Sequence, residues 1–222
     1  MPKLIKALPL TLYIAAASIV AGCLTGLLVA IIKIKGHKIP VAVIDTITVI
    51  IRAVPEVVLI YVVYFGLPNF VKALTGFDMG SWEKSSFVIL ALAIGLSAST
   101  SELFRSAYNS LDKGQLEAAH AIGMTKVQRF FRIILPQGAY VIMPNLSGLS
   151  LGIIQATSLS YTLGVMDVMG KAKVLDSNAF GMNTFETYTI VALIYWLISF
   201  IEGAIFKVLE KKTGKGMKTL AT

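Results

Sequence analysis

Long apolar runs alternate with short, cation-bearing breaks along the chain, and five runs reach the ~20 residues a helix needs to cross a bilayer core. They extend from Thr11 to Ile32, Val41 to Phe65, Phe87 to Tyr108, Gly138 to Val165 and Tyr188 to Leu209. Backbone groups inside a bilayer must bond within their own segment, so each run is expected as a helix. The pattern therefore predicts an all-α, polytopic membrane protein: an N-terminal arm over 1–10, five transmembrane helices over 11–209, and a tail over 210–222. The first run also imitates a secretory signal with a lipid-attachment cysteine, through Lys3, Lys6 and Val20-Ala21-Gly22-Cys23. A processed N-terminus should then turn polar, whereas Leu24 to Ile32 stays apolar up to Lys33, so a retained span is expected.

Composition excludes a soluble globule, because 56% hydrophobic and 14% charged residues leave too little polar surface to cover 222 residues. A net charge of +8 raises the question of nucleic acid. No basic run is interleaved with aromatics, however, and the Lys and Arg residues cluster beside apolar spans, as topology charges do; the partner they suit is membrane lipid, not nucleic acid. The single cysteine, Cys23, precludes an intramolecular disulfide and a Cys-based zinc site. His37 and His120 lack a second His or Cys at ligand spacing, so no metal site is expected. No nucleophile lies beside a base, which argues against an enzyme.

Cation counting sets an orientation. With the C-terminus cytoplasmic, the inner segments hold 13 cations, namely Lys33, Lys35, Lys38, Arg105, Lys113, Lys126, Arg129, Arg132, Lys207, Lys211, Lys212, Lys215 and Lys218. The outer segments hold 6, namely Lys3, Lys6, Lys72, Lys84, Lys171 and Lys173, with Arg52 inside a span. The N-terminus is then extracytoplasmic and the loop 106–135 cytoplasmic.

That loop reads as two short helices around a glycine. Gln115 to Ile122 carries small apolar residues at Ala118, Ala119, Ala121 and Ile122; Gly123 suits the left-handed residue that ends a helix; Thr125 with Gln128 forms a capping-box pattern. Pro136 marks entry into the fourth span. Small side chains let the first helix approach another backbone closely, and Glu117 offers a charge across the contact. Two readings follow: a docking element, or a helix-turn-helix packed on its own membrane domain.

Charges within spans cost about 2.5–3.5 kcal/mol each on insertion scales unless water or a partner meets them. Asp45, Arg52 and Glu56 are spaced to share one helical face, with Arg52 and Glu56 one turn apart, and Glu102 with Arg105 repeats the arrangement. They line a pathway or lock span against span. In the fourth span, Pro144, Gly148 and Gly152 are expected to break the helix ahead of Thr157 and Ser158, whose hydroxyls with freed amides would hold a carboxylate, while Asp167 takes an ammonium. The alternative is close packing between spans at those glycines.

Glu117-Ala118-Ala119, then Gly123, Ile133 and Leu135-Pro136 at their respective gaps, resembles the EAA motif of permease subunits of bacterial type I ABC importers. The likeness runs over Thr11 to Leu209. Arg52-Ala53-Val54-Pro55 is similar to the Arg-Gly-Thr-Pro of the polar amino-acid branch, Tyr64-Phe65-Gly66-Leu67-Pro68 closes the second span as there, and Thr157-Ser158-Leu159 sits where that branch has Lys-Asp-Thr-Ser-Leu. Two departures are Ala53-Val54 for Gly-Thr and Gln155-Ala156 for Lys-Asp, the second arguing against a strongly charged ligand. Gly164 to Ala172 looks like a segment of Gram-positive cystine permeases, which makes L-cystine the first named substrate.

The resemblance implies the type I importer (MetI-like) fold in a bacterial cell membrane. It implies three partners: an ABC ATPase dimer that binds ATP and Mg, an extracytoplasmic substrate-binding protein, and a second permease copy or sister chain. The ATPases would grip Glu117, Ala118, Ala119, Gly123, Ile133, Leu135 and Pro136. The chain has no Gly-x-x-x-x-Gly-Lys-Ser/Thr loop, so no nucleotide cofactor of its own is expected. Alternatives are a permease for another small solute, such as methionine or an inorganic ion, and a membrane sensor or scaffold on the same fold.

Overall fold

Residues 2–214 are described by the computed structural model, and every regular element among them is helical. Most of the expected tail, including Lys215 and Lys218, lies outside the described residues. In chain order the helices are α1 (Pro2–Ile5), α2 (Leu8–Lys35), α3 (Lys38–Ala53), α4 (Glu56–Tyr61), α5 (Leu67–Thr75), α6 (Lys84–Asn109), α7 (Lys113–Ala121), α8 (Lys126–Arg129), α9 (Leu135–Ala156), α10 (Val168–Asn178) and α11 (Thr184–Gly214). Wide π turns at Val62–Gly66 and Phe130–Ile134 join α4 to α5 and α8 to α9, and a 3-10 turn, Thr157–Leu163, extends α9. Five continuous rods are long and apolar enough to cross a membrane: Pro2–Lys35, Glu56–Thr75, Lys84–Asn109, Lys126–Leu163 and Thr184–Gly214.

The second rod departs from the expected Val41 to Phe65. Pro55 has no N–H to give to Ile51 and holds Val54 extended at φ −83, ψ 128, so the helix stops at Ala53 and a new one starts at Glu56. Ahead of the break, α3 is inverted relative to a soluble amphipathic helix. Ile39, Val43, Ile47 and Ile50 face outward while Thr48 is buried, as suits a helix whose outer side meets lipid or another apolar surface.

Pro144, Gly148 and Gly152 do not break α9, contrary to expectation. The helix is regular from Leu135 to Ala156 with Pro144 inside it, exposed on its surface. Disruption falls elsewhere. Each π turn ends two residues before a proline, Pro68 or Pro136, and the widened turn relieves the clash of the ring with the carbonyl four residues back.

Helix α6 is the hub. Its Phe87, Val88, Ala91, Leu92 and Leu96 meet Ile14, Ile60 and Ile153 in the main core. It lies against α2 at two glycines: a Cβ at Gly22 would stand 2.8 Å from Leu96, and one at Gly26 would land on the Thr100 hydroxyl. Thr100 donates to the Gly22 carbonyl at 3.1 Å across this seam. Small residues that bring backbones together replace the hydrophobic drive that lipid does not supply. At the end remote from α7, a second cluster of Leu4, Ala7, Val168, Ala172 and Val191 ties α1, α10 and α11.

Candidate functional site

The segment from Asn109 to Pro136 is assembled from caps. Asp112 accepts the Gly114 amide at 2.8 Å and starts α7. The helix ends in a full Schellman motif: Gly123 sits at φ +79 and donates to the His120 carbonyl, and Met124 donates to Ala119, both at 3.0 Å. Both bonds of the expected capping box are made, Gln128 N to Thr125 Oγ1 at 3.2 Å and Thr125 N to Gln128 Oε1 at 2.9 Å. Gln137 Nε2 donates to Gln115 Oε1 at 2.7 Å and fastens α7 to the head of α9.

These caps decide what α7 shows. Ala119 is buried against the bundle, whereas Glu117, Ala118 and Ala121 are exposed and Ile122 projects at 79% exposure. Ile133 is half-buried in the π turn; Leu135 and Pro136 are exposed at the start of α9. Glu117 has no ion-pair partner among the described residues. The motif therefore divides by role: Ala119 and Gly123 shape the helix, and Glu117, Ala118 and Ile122 face outward. Asp112 escaped the sequence reading, although it directly precedes the helix, where caps belong.

One turn back from the loop, four charges close a quartet. Buried Lys33 at the end of α2 reaches Glu102 at 2.5 Å, Asp45 at 3.1 Å and the Thr48 hydroxyl at 2.8 Å. Arg105 pairs with Glu102 at 2.8 Å and lies 3.8 Å from Asp45. The Glu102–Arg105 pair is as expected; the Arg52–Glu56 pair is not made among the described residues, since the break at Val54-Pro55 puts the two residues on different helices. Asp45 turns inward to Lys33, and Arg52, Pro55 and Glu56 are exposed. Two positive and two negative side chains thus clasp α2, α3 and α6.

Two of the expected carboxylate and ammonium ligands come together in the interior. Thr157 and Asp167 are both fully buried and are bridged by the Tyr195 hydroxyl, 3.4 Å from each. Asp167 is a cap: it accepts the Gly170 amide at 2.8 Å at the start of α10, and the next amide, Val168, is held by Thr11 at 3.0 Å. Burial pushes its carboxyl above the ordinary value, against the pull of the Gly170 and Met169 amides and Tyr195. Asp167, expected as an ammonium ligand, is here a buried helix cap. Ser158 spends its hydroxyl on the Gln155 carbonyl at 2.7 Å, a local bond three residues back along the chain.

Open space lies beside Gln155. Val141, Asn145, Gly148, Gly152 and Gln155, spaced 4, 3, 4, 3 along α9, form an exposed face. A Cβ at Gly148 or Gly152 would meet nothing within 4 Å. Two side-chain amides and two glycines are unsuited to lipid.

Membrane rods, a capped loop helix and an unpartnered polar face on α9 together define a multi-pass transport subunit rather than an enzyme. Residues 18–215 match the family of binding-protein-dependent transport system inner membrane components, and the chain belongs to it. It is 35% identical over 220 residues to the probable amino-acid permease protein YxeN of Bacillus subtilis, covering 98% of this chain and 94% of the relative. It is 29% identical over 221 residues to the L-cystine transport system permease protein TcyL of the same organism, covering 100% and 91%. Among solved structures, an amino acid ABC transporter with histidines superposes with a TM-score of 0.79 at 27% identity, covering 95% of this chain and 94% of that one.

Proposed function

We propose that this chain is the permease subunit of an ATP-driven amino-acid importer in a bacterial cell membrane, with L-cystine the first substrate to test. The observation that carries the reading is the rigid, outward presentation of Glu117, Ala118 and Ile122 between a Schellman motif and a capping box. A nine-residue helix is too short to persist alone, so its caps and its tie to Gln137 hold a shape ready for a partner. That partner is an ATPase dimer, which brings ATP and Mg. The names of the matched relatives support an amino acid, and the kinship with TcyL supports cystine.

Alternating access supplies the mechanism. Closure of the ATPases moves each α7; Gln115–Gln137 and the turn Phe130–Ile134 carry the movement into α9. The α9 face of Asn145, Gly148, Gly152 and Gln155 lines the route against a second copy or a sister permease. Its neutral amides suit a zwitterion received from an extracytoplasmic binding protein. Gln155, which stands where the resembled branch carries Lys, is the substrate-pathway position on this face; Thr157, Ser158 and Asp167 hold the rod around it. Reconstitution with the ATPase and binding protein, assayed with a panel of amino acids, tests the proposal through substrate-dependent hydrolysis and uptake. Glu117→Lys should insert normally and abolish both; normal uptake by that variant sinks the docking assignment, and hydrolysis without uptake indicates a sensor.

A further inference from the structure

The geometry points to a binding groove for an anionic phospholipid at the loop end of the bundle, on a face of α9 different from the one assigned to transport. The groove has a volume of about 950 Å³ and lies between α2 and α9, floored by α6 and closed below by Leu116 of α7 and the turn after α8. Leu27, Ile31, Phe104 and Leu146 are among its apolar walls. Lys35, Lys126 and Arg129 also line it, and no acid does among the described residues. Arg129 Nε is buried without a hydrogen-bond partner.

Three cations beside one apolar slot, one carrying an unmet donor, call for a ligand with an acceptor-rich anionic head and a hydrocarbon body. Along α2, Lys35 lies about 12 Å from Leu27, so head and tail sites are separated along the membrane normal as a phospholipid requires. A protein helix would supply the tail but not the phosphate, and a free phosphate would leave the slot empty. The assignment to the inner leaflet rests on the proposed cytoplasmic position of the loop, where anionic lipids and basic pockets meet. A lipid seated there touches both the end of α2 and the α8–α9 turn, which places it beside the path from the ATPase to α9.

The test uses the assembled importer in phosphatidylcholine nanodiscs doped with spin-labelled phosphatidylglycerol or spin-labelled phosphatidylcholine, read as the motionally restricted fraction. Phosphatidylglycerol should be held preferentially, and Lys35→Gln, Lys126→Gln and Arg129→Gln should each lower that preference about fivefold, equivalent to ~1 kcal/mol per cation. Gly138→Leu should reduce restriction of both lipids, because Gly138 lines the groove and a Cβ there meets nothing within 4 Å. Equal restriction of the two lipids by the wild type overturns the inference. So does undiminished preference in the triple variant, or a cross-link from Ile31→Cys to the ATPase or sister permease. Should the triple variant fail to insert, Gly138→Leu decides alone. Pull-down of the ATPase by each variant reports the docking reading separately: lost lipid preference with retained ATPase supports the groove and leaves docking standing, and retained lipid preference overturns the groove whether or not the ATPase is held.

Discussion

Gly123→Ala isolates the contribution of backbone conformation at the end of α7. The native φ of +79 lies in the left-handed region, which costs a residue with a Cβ about 1–2 kcal/mol. A Cβ at this position meets nothing within 4 Å, so no clash adds to that figure and no contact offsets it. Because α7 has nine residues and buries chiefly Ala119, the loss falls on the local opening of this helix and not on the bundle. One to two kcal/mol raises the open population about five- to thirtyfold. Amide exchange of Ala118 to Ala121 should quicken by that factor, the affinity for the ATPase should fall by no more than it, and the thermal midpoint of the solubilised protein should stay unchanged. Gly123→Asn should do less harm, since Asn tolerates this region, and Gly123→Val more. Unchanged exchange in Gly123→Ala, or equal effects across the three substitutions, would refute the argument.

Three further outcomes are expected. Lys33→Met leaves Asp45 and Glu102 with Arg105 as the one remaining cation of the quartet, so thermal unfolding in detergent should show a loss of about 3 kcal/mol, partly recovered by adding Glu102→Gln; a change below ~1 kcal/mol removes the clasp. Asp167→Asn keeps a cap acceptor and should preserve folding and uptake, whereas Asp167→Ala should cost ~1 kcal/mol; lost uptake in a folded Asp167→Asn would restore the ammonium-site role. Its raised pKa gives the linkage its sign: the neutral acid is favoured in the fold, so this residue's contribution to stability grows as pH falls through the folded value, and Asp167→Asn should flatten that slope. Gly148→Leu has room within the protomer and should fold, yet block uptake where α9 faces its partner; wild-type transport by this variant would assign that face to lipid.

Local rules were the most legible. The helix stop at Gly123, the Thr125–Gln128 box and the Glu102–Arg105 pair each depend on neighbours within four residues, and each is present. Lys33 was readable only as a topology charge, because the acids that bury it arrive from α3 and α6. Prolines misled in both directions. Pro55 ended a helix drawn through it, Pro144 left intact a helix expected to break, and Pro68 and Pro136 exerted their effect one turn upstream as π turns. The same missing donor thus broke one helix, widened two and left a fourth regular, an outcome that residue type alone does not reveal.

The wide turn over Phe130–Ile134 fixes more than the entry angle of the fourth rod. Regular winding advances 100° per residue, so the extra residue such a turn accommodates sets the azimuth of everything downstream. Wound as a regular helix over the same residues, this stretch would swing Asn145 and Gln155 by about that angle away from their present sector, with length and hydropathy untouched. The compass bearing of the proposed transport face is thus stored in five residues close to α7.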